Sequence, residues 1–334
     1  MTSLPTSPLA ANVGFNAVVV AVTAEVPRVL TVTAKDLADT ERDPVIAGLP
    51  YGRLDSAGDR TLELGLRRTV TEHSGLELGY VEQLYTFGDL HRDRGGLRDR
   101  RREISVGYLA LVRESALGGG AARWRDGYEF FPWEDWRDGR PAVLDRELAP
   151  AVERWIDEAD GAPARTERRE RAEIVFGLGG VGWDGERVLE RYELLYEMGL
   201  VAEAWRDRAA AGRPATRPPG LPQLGQALVI DHRRILATAL GRLRGKLRYR
   251  PVVFELLPAT FTLLQLQKTV EALAGVPLHK GNFRRLVEHG GLVEGTGTLE
   301  TQTGGRPAEM FRFRREVLRE RPAPGVGLPG VRSG

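Results

Sequence analysis

Hydrophobic residues follow strand and helix periods in turn along the first third of the chain. Residues 16–23 and 28–33 are short runs rich in β-branched residues, and residues 104–112 place apolar side chains at alternate positions, which predicts three strands. Between them, residues 61–73 carry apolar side chains at helical spacing, and Gly75 is well placed to end a helix. Strand, helix and strand in this order predict an α/β body.

The middle of the chain changes to helical patterns. Residues 141–182 predict a helix-rich insertion, with helices over 144–159 and 168–176 separated by a Gly-Ala-Pro break at 161–163. Residues 209–222 are rich in Ala, Gly and Pro, a composition that is typical of a linker. We therefore expect a connecting segment between this insertion and the rest of the chain.

A second module is predicted in the C-terminal third. Residues 231–246 form an amphipathic helical pattern, and residues 262–274 predict another helix that starts with a capping box of Thr262 and Gln265. A Gly-Val-Pro turn, a helix over about residues 280–289, a glycine stop and a hairpin follow. Helix, turn, helix and hairpin in this order predict a winged helix-turn-helix domain.

The second helix of this module has a cationic outer face. We expect Phe283, Leu286 and Val287 to form its inner face. Four residues suited to purine edges or phosphates then cluster at the N-terminal end, which enters the major groove in this motif. These residues are Lys280, Asn282, Arg284 and Arg285. The hairpin tip at residues 304–307 adds Arg306, which is suited to a phosphate or to the minor groove.

Charge is unevenly distributed, although the net charge is only +2. Residues 231–334 contain 18 Lys and Arg against 9 Asp and Glu, whereas the remainder contains 30 against 37. A basic segment joined to an acidic one indicates a module that meets a polyanion. Genomic base composition explains the preference for Arg over Lys, but not why the excess lies at one end. Double-stranded DNA is the predicted partner; the alternatives are a solvated basic face and a winged helix that contacts protein.

Composition excludes several classes of protein. The chain contains no Cys, which excludes a disulfide framework, a thiol nucleophile and a zinc-cysteine site. No apolar stretch approaches the ~20 residues of a membrane span. The run at residues 15–23 is short and lacks the basic start of a signal peptide. We therefore expect a cytoplasmic protein.

Residues 52–76 are similar to the motif of Nudix hydrolases, Gly-x5-Glu-x7-Arg-Glu-U-x-Glu-Glu-x-Gly-U, in which U is aliphatic. Residues 52–59 stand in the place of the first segment, one residue longer. The positions of the second segment that fit are Arg68, Val70, Gly75 and Leu76. Of its three glutamates only Glu72 is kept, because Thr69 and His73 occupy the other two positions.

The loss of two glutamates changes the chemistry expected of this helix. Nudix glutamates hold divalent cations that polarise a pyrophosphate and activate water. One carboxylate cannot hold such ions against their hydration, and histidine is a poor ligand for Mg²⁺. We expect neither catalytic residues nor a metal site here. The alternative is an active hydrolase of ADP-ribose or another nucleoside diphosphate derivative, with Glu63 or Asp59 as a substitute ligand.

Both halves together resemble one family, the Nudix-related transcriptional regulators of the NrtR type, which control genes of NAD metabolism in bacteria. The resemblance covers about residues 14–110 and 184–315. The segments that carry it are residues 80–89, 104–111, 243–247, 254–258, 261–263, 282–285 and 304–307. Residues 141–182 fit less well and resemble a longer form found in actinobacteria.

The resemblance implies a homodimeric repressor that binds a pseudo-palindromic operator in duplex DNA. Its Nudix domain would bind ADP-ribose or a related nucleotide as the effector, without a further cofactor, and this binding would release the DNA. By the same resemblance, the ligand would lie against Arg53, Glu72, Phe87, Asp89 and Arg102.

The expected fold class is α/β: a Nudix-like α/β/α sandwich with a helical insertion and a C-terminal winged helix-turn-helix domain. The predicted segments are a degenerate Nudix-like ligand-binding domain (13–140), the insertion and linker (141–230), the winged helix-turn-helix domain (231–320) and a disordered tail (321–334).

Overall fold

The computed structural model describes residues 11–35, 47–89, 102–118, 120–301 and 307–326. The strands in these residues are β1 (Ala11–Thr23), β2 (Val26–Thr33), β3 (Ala47–Gly48), β4 (Tyr51–Arg53), β5 (Tyr80–Phe87), β6 (Arg102–Leu111), β7 (Ala122–Asp126), β8 (Phe261–Thr262), β9 (Val293–Glu300) and β10 (Ala308–Phe313). The α-helices are α1 (Leu62–Ser74), α2 (Ala149–Asp157), α3 (Gly161–Phe176), α4 (Val188–Glu197), α5 (Ala202–Ala210), α6 (His232–Tyr249), α7 (Leu263–Ala274), α8 (Lys280–His289) and α9 (Val317–Glu320). Short 3-10 turns lie at Gly127–Glu129, Pro132–Glu134 and Val252–Leu256.

Seven of these strands form one mixed sheet around β1 and β6. β1 pairs in parallel with β6 and antiparallel with β2 and β4, while β5 extends the sheet beyond β6. The order is β3-β2-β1-β6-β5, and β7 pairs with β2. β1 and β6 are buried along most of their length, as expected for strands that are covered on both faces. The three strands predicted from the sequence are confirmed as β1, β2 and β6.

The helix α1 covers one face of this sheet. The hydroxyl of Thr61 caps its start by accepting the backbone N–H of Leu64, and Gly75 ends it with a φ of 72°. Leu66 and Val70 are fully buried between the helix and the sheet. The helix predicted in this region is confirmed.

The insertion helices and α6 cover the opposite face. Their core joins Val18 and Leu109 of the sheet with Trp155, Leu195 and Ile235 of the helices. One continuous apolar core therefore connects the sheet, the insertion and α6.

The predicted break between two helices is present, but it lies at residues 158–160 and not at residues 161–163. α3 begins at Gly161, so Pro163 lies in its first turn. A proline is tolerated there because the N–H groups of the first turn have no partner within the helix. The helix predicted over residues 144–159 is confirmed as a π-helical turn, Leu144–Leu148, that continues into α2.

α7, α8 and a three-stranded sheet of order β8-β10-β9 form the C-terminal module. The capping box of Thr262 and Gln265 is present, as predicted. Phe283 and Val287 of α8 are buried, but Leu286 is 40% exposed, so its assignment to the inner face is wrong. The reason is that this short helix buries a narrow i, i+4 stripe, and Leu286 lies at the edge of that stripe.

The segment that follows β10 returns to the core. Val317 of α9 is fully buried, and Val326 is 1% exposed and donates its backbone N–H to the carbonyl of Leu247 at the end of α6. The expectation of a disordered tail is therefore wrong for residues 321–326, because these apolar contacts hold the segment in place. Residues 327–334 lie outside the described residues.

α6 contacts both parts of the molecule. It packs against α4 and the strands β1, β5 and β6, and it also contacts α7. α6 is therefore one of the elements through which the body and the winged helix meet, and α7 also contacts β1 and β2 directly. Within the described ranges, no helix combines the length and the apolar character needed to cross a membrane.

Candidate functional site

The outer face of α8 brings together the residues predicted to contact DNA. Lys280, Asn282, Arg284 and Arg285 are all exposed. The ring nitrogen Nδ1 of His279 caps the helix by accepting the backbone N–H of Asn282 at 3.4 Å. Arg285 Nη2 donates to Asn282 Oδ1 at 3.1 Å, so a guanidinium and an amide are presented side by side.

The cations on this face have no acidic partner in the described part of the chain. None of Lys280, Arg284 and Arg285 forms an ion pair there. Guanidinium and ammonium groups without an internal carboxylate are available to phosphates and to purine edges. Arg306, the contact predicted at the hairpin tip, lies outside the described residues.

The polar residues of α1 are paired with one another. Arg68 donates to both carboxylate oxygens of Asp59, at 3.1 and 3.0 Å, and to those of Glu72, at 3.1 and 3.2 Å. The hydrogen bond from Arg68 holds the pKa of Asp59 below its usual value of 3.8. Thr69, in the place of a glutamate, is buried beside Gly52. Among the described residues, no group of three or more His, Asp or Glu is arranged to hold a metal ion.

The residues predicted to contact a nucleotide divide into two groups. Phe87, Asp89 and Arg102 meet at the edge formed by β5 and β6, where Arg102 Nε donates to the carbonyl of Gly88 at 3.0 Å. Arg53 pairs at 2.8 Å with Glu103, the residue after Arg102, which places it near the start of β6. Glu72 is not part of this group, since Arg68 holds it on the α1 side of the sheet.

Two of these residues are engaged with the body. Phe87 is 7% exposed and packs in the core against Gly107, so little of its ring is open to stack on a nucleotide base. Asp89 pairs at 3.0 Å with Arg234 of α6, and Arg234 also pairs with Glu193 of α4. The β5–β6 edge is therefore linked directly to α6.

The region beside the Nudix-like motif is packed with rings that reach α6. The ring of Tyr51 lies 6.0 Å from that of His73 and 5.9 Å from that of His232. His232, the first residue of α6, is buried, and its Nδ1 accepts the backbone N–H of Leu49 at 3.0 Å. Its Nε2 lies 2.9 Å from the side-chain amide nitrogen of Asn16. These contacts join the altered motif to α6.

An open depression lies elsewhere in the body, with a volume of about 540 Å³. Its lining residues are Thr23, Glu114, Ser115, Ala116, Leu117 and Trp124. None of the residues predicted to contact a nucleotide lines it, so it lends no support to that prediction.

Sequence reasoning missed a buried charge cluster between α4 and α6. Glu134 is fully buried, and Arg191 donates to its two carboxylate oxygens at 2.5 and 3.0 Å, while Arg244 also pairs with it. Burial raises the pKa of Glu134, but the two guanidinium groups outweigh it and hold that pKa below the usual range. The available signal was Arg244, a charged residue within the apolar stripe of α6, because arginine is rarely buried unless it is paired.

Comparison with known proteins points to one family. Residues 253–313 match the model of the NrtR DNA-binding winged helix domain. A curated relative, the ADPR responsive transcriptional repressor NtrR of Acinetobacter baylyi, is 40% identical over 86 residues, which cover 26% of this chain and 34% of the relative. The matched part thus spans about a third of the length of that relative.

Solved structures share the architecture of the whole chain. NrtR of Shewanella oneidensis, in complex with a 27mer DNA, has a TM-score of 0.53 and 20% identity and covers 92% of this chain and 95% of its own. A MutT/nudix family protein of Enterococcus faecalis has a TM-score of 0.50 and 16% identity and covers 94% and 90%. The predicted fold class is confirmed. Residues 253–313 are thus similar to the NrtR DNA-binding winged helix domain, and the chain as a whole shares the fold of the solved NrtR structure.

Proposed function

We propose that this chain is a homodimeric, DNA-binding transcriptional repressor whose Nudix-like body binds ADP-ribose or a related nucleotide. The nucleotide is the effector that releases the DNA, and genes of NAD metabolism in the bacterial cytoplasm are the proposed targets. The exposed cationic face of α8 is the observation that carries this proposal. The family match over residues 253–313 and the similarity to an ADPR responsive repressor support it.

The N-terminal half of α8 is proposed to enter the major groove. Arg285 and Asn282 are hydrogen-bonded to each other and can read purine edges together, while Lys280 and Arg284 neutralise phosphates. In a symmetric dimer the two recognition helices lie ~34 Å apart or a multiple of it, which suits a pseudo-palindromic operator. Arg306 at the hairpin tip remains a proposed phosphate or minor-groove contact.

The effector is proposed to bind near the β5–β6 edge, against Arg53, Phe87, Asp89 and Arg102. The guanidinium groups suit a pyrophosphate. The ion pair between Asp89 and Arg234 supports this placement, because a ligand at that edge can alter a contact with α6. Glu72 remains on the list of proposed contacts, although its carboxylate is paired with Arg68.

The test is fluorescence anisotropy of the full chain on a labelled duplex from upstream of its own gene, with a scrambled duplex as the control. ADP-ribose is titrated at fixed salt, and AMP serves as the matched nucleotide control. We expect selective binding that weakens steeply with salt and is reversed by ADP-ribose alone.

Other outcomes identify which half of the proposal is wrong. Selective binding that ADP-ribose leaves unchanged rejects this effector and keeps the DNA-binding function. Absence of selective binding rejects the repressor. In that case AMP release from ADP-ribose with Mg²⁺ or Mn²⁺, lost in Glu72→Gln, would favour the hydrolase instead.

A further inference from the structure

The turn between α7 and α8 lies against residues 128–136 of the body. Carbonyl groups at the end of an α-helix have no partner within the helix, and at the end of α7 the body supplies the donors. The Tyr128 hydroxyl donates to the carbonyl of Ala272 at 2.7 Å, and the backbone N–H of Trp136 donates to the carbonyl of Gly275 at 2.6 Å. The C-terminus of α7 is therefore completed by groups outside the winged helix.

α6 adds a third donor to the same place. Arg244 Nε donates to the carbonyl of Leu273 at 3.1 Å, while the same guanidinium pairs with Glu134. Arg191 of α4 donates to both carboxylate oxygens of Glu134, one of which also accepts from Arg244, and it donates to the carbonyl of Asp184 at 2.9 Å. A single buried carboxylate thus connects the body, the insertion, α6 and, through Arg244, the end of α7.

The turn between α7 and α8 lies so close to the body that position 275 must be glycine. Gly275 has a φ of 72°, and a Cβ built on it would lie 2.3 Å from the carbonyl oxygen of Glu134. Any other residue at this position would push the turn away from the body. The turn between α7 and α8 is therefore held against the body. Gly275 allows both this close contact and the backbone conformation of the turn.

A second buried ion pair fixes the other end of α6. Arg233, eleven residues before Arg244 and so about three helical turns away on the same face, pairs with Glu203 at 2.5 Å. Its guanidinium also donates to the carbonyls of Leu224, at 2.9 Å, and Phe130, at 3.4 Å. Buried pairs of this kind do not stretch gradually, because a charge left alone in the interior is strongly unfavourable. α6 is therefore anchored by a buried ion pair near each of its ends.

We propose that Tyr128, Glu134 and Arg244 are positioning residues that set the place of the recognition helix α8 relative to the body. All three are buried, and they act through the end of α7 and the turn before α8. The inference rests on the proposed function only in its second part, that the effect of the nucleotide on DNA affinity passes through this docked turn.

The docking is tested first without DNA. The chain has no Cys, so cysteines introduced at Glu77 on the body and at Glu288 on α8 would be the sites that carry the two spin labels. The distance distribution is measured in the wild-type chain, in Gly275→Ala and in the milder Tyr128→Phe. We expect a narrow distribution in the wild type and a broad or displaced one in both variants.

Two variants serve as matched controls. Gly212→Ala places a Cβ at a similar φ of 66°, but with no atom within 4 Å of it. Tyr196→Phe removes a hydroxyl that donates to Asp207 within the insertion, at 2.8 Å. Both controls should keep the wild-type distance distribution, since neither change touches the docked turn.

The second measurement is the ratio of DNA dissociation constants with and without ADP-ribose. Tyr128→Phe removes the hydrogen bond to Ala272 and the longer one, at 3.5 Å, from Arg244, and this should reduce the ratio by about fivefold, with ADP-ribose affinity retained. The controls should keep the wild-type ratio even where their melting temperature falls.

The outcomes separate the two parts of the inference. Unchanged distance distributions in Gly275→Ala and Tyr128→Phe would overturn the docking. Changed distances with an unchanged ratio would mean that the contact is only structural. A wild-type chain that binds no DNA rejects the proposed function, while the distance measurement still decides whether the turn is docked.

Discussion

The helices α1 and α8 both carry the residues of a functional motif, but their charged side chains differ in whether they are paired with one another. On α1, Arg68 is held between Asp59 and Glu72, so the charged groups neutralise one another. On α8, Lys280 and Arg284 have no carboxylate partner in the described part of the chain. Charges that are already paired stabilise the fold locally, whereas unpaired exposed cations attract an external anion.

This difference bears on which helix is the better candidate for contact with a partner. A Nudix helix that coordinates metal ions needs several carboxylates that are open to the ions. Here Glu72 is engaged with Arg68, and Thr69 is buried against the neighbouring strand. The recognition helix instead keeps its cations and amide together on one exposed face. These arrangements favour α8, rather than the polar face of α1, as the proposed DNA-binding surface.

The largest effect is expected from Arg285→Ala on α8. Removal of a guanidinium that reads a base edge should cost about 1–3 kcal/mol of DNA binding and loosen sequence preference. Anisotropy on the specific and scrambled duplexes measures both quantities. The matched control is Arg319→Ala, which removes an exposed arginine of α9 from the same domain. Equal losses in the two variants would mean that α8 is not the recognition surface.

A smaller effect, dependent on pH, is expected from Asp59→Asn on α1. The pKa of Asp59 is lowered in the folded protein by its hydrogen bond with Arg68. Its stabilising contribution is therefore present above the unfolded pKa and is lost as the pH falls through the lowered folded value. Urea unfolding at about pH 7 and about pH 3 should show a difference between wild type and variant that shrinks in acid. A difference that grows in acid would contradict the pairing.

The smallest effect is expected from Glu72→Gln. Its carboxylate is more than half exposed and takes part in an i, i+4 pair, which is worth only about 0.3–0.5 kcal/mol. Neither the free energy of unfolding nor DNA affinity should change beyond that amount. Loss of nucleotide binding in this variant would instead show that Glu72 serves the effector, and would weaken the contrast between the two helices.

Much of the fold could be predicted because its signals are local. Apolar spacing and Gly75 predict the helix α1, and the capping box of Thr262 and Gln265 predicts the start of α7. The exposed cations of α8 also follow from helical period alone. Each of these features depends on residues within one or two turns of one another, so the pattern in the chain is sufficient.

Other predictions were wrong because the burial of a side chain depends on packing against elements that are distant in the chain. Leu286 has an apolar side chain at helical spacing, yet it is 40% exposed because the stripe buried by α8 is narrower than its apolar face. Residues 321–326 look like a Pro- and Gly-rich tail, yet Val326 is buried against α6. The composition of this segment does not show that an apolar surface lies close enough to bury Val326.

Periodicity, caps and charge placement are local properties, so they predict the two kinds of domain, the order of the elements around them and the cationic face of α8. The packing of the folded chain was needed to show that Arg68 neutralises the surviving glutamate, and that Glu134, Arg191 and Arg244 meet in the interior. It was also needed to show that Gly275 docks on the body. These are contacts between residues far apart in the chain, and their geometry depends on packing that no local pattern specifies.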